Sequence, residues 1–251
     1  MDDQSVIKVL SYNIHKGVAS GGRRWVLREI RALLQDMDLD LVFLQEIVGK
    51  YRSVLKKEPD HSGSQFEYLA DALWPEHRYG QNAAVGGGHH GNAILTRFPI
   101  SSSENLNIST NRHEKRGILH TAIQSPHKNQ TIHACCTHLG LTAAGRAAQL
   151  KKLITWLKTK IPANDPLILA GDFNDWLRKA SVPLRTQLDV REVIESTHGR
   201  LKGTFPAILP ILTLDRIYIR GFEIKEAKIL RERVWRRLSD HIPVLAVLKR
   251  I

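Results

Sequence analysis

Two apolar rhythms alternate along the chain. Short runs such as "VIKVLSYNI" (6–14), "DLVFLQEI" (40–47), "GILHTAIQS" (117–125), "TIHACCTHLG" (131–140), "PLILA" (166–170), "LDRIYIRG" (214–221) and "IPVLAVLKRI" (242–251) read as strands. Between some of them the period lengthens to that of a helix. Residues 25–37 place Val26, Ile30, Leu33, Leu34 and Met37 on one face. Residues 64–74 do the same with Phe66, Leu69, Ala70 and Leu73. Residues 142–161 carry Leu150, Leu153, Ile154, Leu157 and Ile161 on one stripe, with Thr142 placed to cap the helix.

Other stretches are less regular. "GGGHHGNAILTRFPI" (86–100) is a glycine-rich turn entering a strand, without the Lys-Ser/Thr ending of a nucleotide-cradling P-loop. His89 and His90 read there as a solvated loop pair. Residues 176–204 show no clear pattern. "TFPAILPILTL" (204–214) is apolar and broken by Pro206 and Pro210; it reads as core packing, with contact to a lipid or a base as the alternative. Many strands are joined by connections too short for a parallel crossover, so a mixed, largely antiparallel sheet system is predicted.

Composition narrows the partners. The 251 residues are 42% hydrophobic, enough for one large domain spanning 1–251. Thirty-seven Lys and Arg against 25 Asp and Glu give a net charge of +12, which attracts phosphates, nucleic acid or an anionic lipid surface. "RERVWRR" (231–237) is a local concentration of that charge, suited either to steering a polyanion or to protecting a strand edge. The two cysteines, Cys135 and Cys136, are adjacent in a strand and point to opposite faces, so they form neither a disulfide framework nor a zinc site. The N-terminal residues carry no basic segment followed by a long apolar run, and no stretch is long enough for a transmembrane segment. A cytoplasmic location is expected.

The candidate chemistry sits where strands end. Asn13 closes the first strand and Glu46 the second; His138 closes 131–137. Asp172 and Asn174 follow "PLILA", Asp215 opens "RIYI", and Asp240 and His241 precede the last strand. Strand ends and their loops are where folds mount reactive groups. Carboxylates and carboxamides suit a hard cation such as Mg²⁺, and histidines among them can move a proton or steady a phosphoryl group.

"LSYNIHKG", "LVFLQEI", "GNAILTRFPI", "CTHLGL", "LAGDFNDW", "LDRIYI" and "LSDHIPVLAVL" occur in an order that resembles the endonuclease/exonuclease/phosphatase superfamily over about residues 6 to 250. The family includes DNase I-like nucleases, abasic-site endonucleases, neutral sphingomyelinases and inositol polyphosphate phosphatases. The resemblance implies a DNase I-like α/β fold: a four-layer α/β/β/α sandwich with two mixed, mainly antiparallel sheets flanked by helices. It implies Mg²⁺, for which Mn²⁺ can substitute, with Glu46 as main ligand and Asn13 and Asp240 nearby. By the same resemblance Asp172 positions or deprotonates the attacking water, and Asn174 holds phosphate or metal. His241 faces the scissile phosphate with Asp215 orienting it, and His138 is a second phosphate-facing histidine. Arg116 and Asn92 match substrate contacts in some relatives. The implied activity is phosphodiester hydrolysis by metal-activated water. Nucleic acid is the substrate class the charge favours; a phospholipid or sphingolipid headgroup and an inositol phosphate monoester are the alternatives. A non-catalytic binding module is disfavoured by the intact set of site residues.

Overall fold

The computed structural model describes residues 6–22, 24–50, 64–71, 73–85, 88–112, 114–125 and 130–251. Among these residues twelve strands form two six-stranded sheets. The first contains β1 (Val6–Asn13), β2 (Leu41–Lys50), β3 (Glu76–Val85), β4 (Gly88–Thr96), β11 (Phe222–Ile229) and β12 (Val244–Arg250), in the order β11-β12-β1-β2-β4-β3. The second contains β5 (Ile100–Asn107), β6 (Gly117–Gln124), β7 (Thr131–His138), β8 (Leu167–Asp172), β9 (Arg191–Glu192) and β10 (Asp215–Arg220), in the order β5-β6-β7-β8-β10-β9. Each sheet has one parallel pair, β1 with β2 and β7 with β8; every other pairing is antiparallel. The parallel pairs are those joined by the helical crossovers α1 (Leu27–Asp36) and α3 (Ala143–Lys160), as such pairs require. The two sheets thus share one plan, although no repeat is visible in the sequence.

Strand alternation sorts the apolar residues into three cores. Ile7, Val9, Leu41 and Phe43 of the first sheet meet Ile132, Ala134, Ile168, Ala170 and Ile217 of the second in a layer between the sheets. The opposite faces carry Leu10, Tyr12, Val42 and Leu44 under α1 and α2 (Gln65–Ala70), and Cys135, Leu167, Leu169 and Tyr218 under α3 and α4 (Ser181–Leu188). This is the four-layer α/β/β/α sandwich. A short helix, α5 (Val193–His198), packs against β10 and β11, and its Val193 and Ile194 join the layer between the sheets.

The predicted helices are present with trimmed ends. Thr142 caps α3 by accepting from Gly145 N at 3.2 Å, and all five stripe residues are buried. Helix α2 opens on a reciprocal Ser64–Glu67 capping box and ends at Asp71, whose ψ of 126° is non-helical, so it is shorter than the 64–74 pattern; residue 72 lies outside the described residues. The unpatterned 176–204 region contains α4, β9 and α5. The glycine-rich turn starts outside the described residues, and His89 and His90 lie in β4, half-buried, rather than in a loop. Residues 231–237 form no strand edge; they lead into a 3₁₀ turn, Trp235–Arg237, with Trp235 buried edge-on to Tyr12 at 5.6 Å. Residues 204–214 are only partly core, since Ile208, Leu209 and Ile211 are exposed. Among the described residues no helix is long and apolar enough to cross a membrane.

Candidate active site

The layer between the sheets changes from apolar to polar at one end. On β8 the inward series runs Ile168, Ala170, Asp172; on β10 it runs Ile219, Ile217, Asp215; on β7 it runs Ile132, Ala134, Cys136, His138. The register sets His138 beside Asp172 and Asp172 beside Asp215, so three functional side chains stand in a row across three neighbouring strands. On β1 the same parity carries Ile7, Val9, Ser11 and Asn13 to the facing sheet. Asn13 Nδ2 donates to Asp172 Oδ2 at 3.1 Å, joining the two sheets at this end.

Backbone conformations concentrate the groups further. Gly171 has φ +145°, and a Cβ there would meet Thr137 O at 1.9 Å, so only glycine brings β8 this close to β7 just before Asp172. Asn174 (φ 48°) and Glu46 (φ 55°) both take left-handed conformations. Glu46 does so where the β2–β4 register shifts between Leu44 and Ile47, a bulge that re-aims its side chain. His15 and Lys16, in the 3₁₀ turn His15–Gly17 after β1, are left-handed as well. Among the described residues, four of the seven non-glycine residues with positive φ therefore lie at this site, as expected where strain is held by surrounding contacts.

The site is densely bonded. His241 Nδ1 lies 2.8 Å from Asp215 Oδ2, and His241 Nε2 lies 3.8 Å from Asp172 Oδ2. Asp172 Oδ1 accepts from Asn174 N at 2.8 Å. Asn174 Nδ2 donates to Leu139 O at 2.9 Å and faces His138 Nε2 at 3.1 Å. His138 Nε2 also lies 3.4 Å from Asp172 Oδ2. Lys16 Nζ donates to Glu46 Oε2 at 2.8 Å. Ser239 Oγ donates to Asn13 O at 2.7 Å and accepts from His241 N at 3.2 Å, which pins the segment before β12 to the end of β1. Asp240 faces His15 Nδ1 at 3.9 Å.

Burial and charge set the protonation states. His241 is opposed by burial, yet Asp215 and Asp172 raise it to about 10, so it is an imidazolium at neutral pH. His138 is held well below its ordinary value by burial and by the charge of Arg116, and is neutral. Burial pushes Asp172 up and the charge of Asp215 adds to that, while His241 and the bonds from Asn174 and Asn13 pull back. Burial opposes the charge of Glu46, but the Lys16 ammonium bonded to it favours that charge, and the balance lies below its ordinary value, so it is a carboxylate. The site thus pairs one fixed cation with one neutral imidazole, the separation expected of groups with different proton-handling roles.

Asp172, Asp215 and His241 present ligand-type atoms within 4.8 Å of one another, a spacing that fits a metal ion, although His241 can ligate one only after losing its proton. Asp215 Oδ1 is buried without a protein partner. Carboxylate and carboxamide oxygens dominate the surrounding set, which fits a hard divalent cation.

The sequence-predicted residues divide into two groups. Asn13, His138, Asp172, Asn174, Asp215 and His241 are brought together by the contacts above, with Asp240 joined through Ser239 and His15. Glu46 faces His138 electrostatically and contacts Lys16. Arg116 influences His138 and His90 by its charge and pairs with Glu114 Oε1 at 3.1 Å. Asn92 stands apart. It is fully buried between the sheets, donating to Gly117 O at 3.2 Å and Cys136 O at 3.3 Å. Lys16, Ser239 and Phe205, whose ring lies 4.8 Å from that of His241, were not singled out by sequence reasoning. Lys16 lies in "LSYNIHKG" and Ser239 in "LSDHIPVLAVL", so the motifs contained them, but a lone Lys or Ser carries no pattern of its own.

Comparison with known proteins agrees with this architecture. Residues 10–241 match the model of the Endonuclease/Exonuclease/phosphatase family. The protein YbhP of Escherichia coli strain K12 is 43% identical over 244 residues, covering 97% of this chain and 96% of that one. The crystal structure of an endonuclease/exonuclease/phosphatase from Beutenbergia cavernae aligns with a TM-score of 0.80 at 18% identity, over 98% of this chain and 72% of that one. The human Nocturnin catalytic domain, solved with a bound sulfate anion, aligns with a TM-score of 0.75 at 17% identity, over 100% and 97% of the two chains. With the sandwich, the strand-end carboxylates and the family match in agreement, this chain belongs to the endonuclease/exonuclease/phosphatase family.

Proposed function

We propose that the protein is a Mg²⁺-dependent phosphodiesterase, with Mn²⁺ able to substitute. The observation that carries this reading is the buried row His138–Asp172–Asp215 with His241 locked against Asp215. A divalent cation, when bound, supplies charge that offsets the phosphate's and acidifies water. Glu46, held as a carboxylate, is the first candidate to hold it, with Asn13 and Asp240 beside it. The remaining roles belong to the chain's own groups. Asp172 receives the proton of the attacking water, because burial raises its basicity while Asn13 and Asn174 fix its orientation. His241, kept charged by Asp215, stabilises the negative charge growing on the phosphoryl oxygens. Asn174 and neutral His138, whose Nδ2 and Nε2 face each other, offer hydrogen bonds to the same oxygens once that contact opens, and Arg116 adds positive charge nearby.

The net charge of +12 supports a polyanionic substrate, with nucleic acid first. The exposed apolar residues of 204–214 support a second class, an anionic lipid. The test is hydrolysis of a generic activated phosphodiester by the purified protein. Mg²⁺ should support it, EDTA should stop it, and Asp172→Ala and His241→Ala should each abolish it while leaving the melting curve cooperative. Full turnover in both variants refutes the mechanism. Plasmid DNA, abasic duplex, RNA, sphingomyelin, cardiolipin and inositol phosphates assayed in parallel identify the substrate class.

A further inference from the structure

Among the described residues, the exposed large apolar side chains are unevenly distributed. Leu141 follows the end of β7, Trp176 and Leu177 follow β8, and Ile208, Leu209 and Ile211 precede β10. Val234, before β12, is a further member. These seven lie on loops at the same end of the sandwich as the polar row, while Val182 on α4 and Ile251 after β12 lie elsewhere. Within this group the most exposed are Ile208 at 72%, Leu209 at 66% and Ile211 at 65%, a cluster of aliphatic groups larger than single scattered exposure explains.

The loop that carries them is anchored to the site. Its ends bridge as Phe205 with Leu212, Ala207 N donates to Asp240 O at 2.7 Å, and Ile242 N donates to Thr204 O at 2.9 Å. Phe205 packs on His241. Beside the tip, Ile208 shares a shallow groove with Arg24, Arg233, Arg236 and Arg237. Arg24 pairs with Glu29, and no carboxylate pairs with Arg233, Arg236 or Arg237 among the described contacts. Aliphatic tips flanked by arginines match the two layers of an anionic bilayer surface, its acyl boundary and its phosphate headgroups. A single-stranded nucleic acid would instead call for stacking rings, and the tip residues offer none; the exposed Trp176 ring is already covered by the Arg146 guanidinium at 4.5 Å.

We propose that this end of the molecule is an interfacial docking surface for anionic phospholipid bilayers, with the 205–212 loop inserting and the Arg233–Arg237 segment engaging headgroup phosphates. Docking in this orientation brings the site mouth to the headgroup layer. The docking itself does not depend on the hydrolytic reading; a headgroup phosphodiester as substrate does.

The experiment is vesicle flotation of the full chain, without metal, on phosphatidylglycerol/phosphatidylcholine vesicles and on phosphatidylcholine alone. Binding is expected only to the anionic vesicles, and to weaken with added salt. The double variant Leu209→Asp/Ile211→Asp should lower the bound fraction at least tenfold. Arg236→Glu/Arg237→Glu should do the same at moderate salt. Both should melt as the parent does and hydrolyse a soluble phosphodiester at the parent rate. No flotation of the parent, or undiminished flotation of the loop variant, overturns the proposal. So does retention on single-stranded DNA through these residues with vesicles ignored. If EDTA-sensitive hydrolysis fails while flotation holds, the catalytic reading falls and the docking stands.

Discussion

Replacing Asp215 by Asn tests the electrostatics of the site with almost no change of shape. The amide oxygen still accepts from His241 Nδ1, whose present distance to Asp215 Oδ2 is 2.8 Å, but the anion is gone. Asp215 leads the groups that favour the imidazolium, and burial opposes it. Bringing His241 from about 10 back to its ordinary value of 6.5 corresponds to about 5 kcal/mol of protonation energy. Asp215→Asn should remove a large part of this and leave His241 mostly neutral at pH 7 and above.

The sign of the stability effect follows from linkage. Below pH 6.5 both folded and unfolded chains hold the proton, and the contribution is complete. Between 6.5 and about 10 only the folded state holds it, so this group removes about 1.4 kcal/mol of stability per pH unit. Above about 10 nothing remains. From pH 7 to 8.5 the parent should lose about 2 kcal/mol through His241, a fall of roughly 1 M in the urea midpoint. The variant starts less stable at pH 7 but should be nearly flat over that window, and its turnover should fall about 10²–10⁴-fold. Urea titrations of both proteins at pH 7, 7.5, 8 and 8.5 measure the slopes. Equal slopes would show that Asp215 does not hold the His241 proton, and the assignment of a fixed cation would be wrong.

Two further substitutions probe the frame around the site. Gly171→Ala should cost at least about 3 kcal/mol or prevent soluble expression, because its Cβ has 1.9 Å to Thr137 O and φ is +145°; a change within about 0.5 kcal/mol in thermal or urea unfolding would contradict the close approach of β7 and β8. Asn92→Ala should destabilise by about 1–3 kcal/mol, since it strips partners from the buried Gly117 and Cys136 carbonyls. KM should be unchanged if Asn92 only clamps the sheets, and a raised KM with normal stability would return it to the substrate.

The sequence was most legible where burial was greatest. β1, β2, β7, β8 and β12 are continuous or alternating apolar runs because their faces meet packed layers. β5 and β11 were missed for the opposite reason. They are edge strands whose residues face solvent, as in "ISSSENLN", or pair as Glu223–Lys225 and Glu226–Lys228, so no apolar period marks them. Helix α2 came out short because capping fixed its start while apolar spacing carried on past its end. The site was legible as polar residues breaking apolar strands at Asn13, His138, Asp172 and Asp215. What holds them was not: the left-handed turns at Lys16, Glu46 and Asn174 are backbone choices that non-glycine residues do not announce. The exposure of Ile208, Leu209 and Ile211 was hidden by the same logic, since an apolar run looks alike whether it lies inside a core or on a loop tip.

The shared plan of the two sheets has a consequence for biosynthesis. Among the described strands β12 is translated after all the others, yet it lies beside β1, which is translated before them, with Val6 opposite Lys249. A nascent chain can therefore complete the second sheet while the first still waits for its outer hairpin, and it is that hairpin's approach which carries His241 to Asp215. On the proposed mechanism a chain cut before His241 lacks the imidazolium, so the pocket is completed only once β12 has docked on β1.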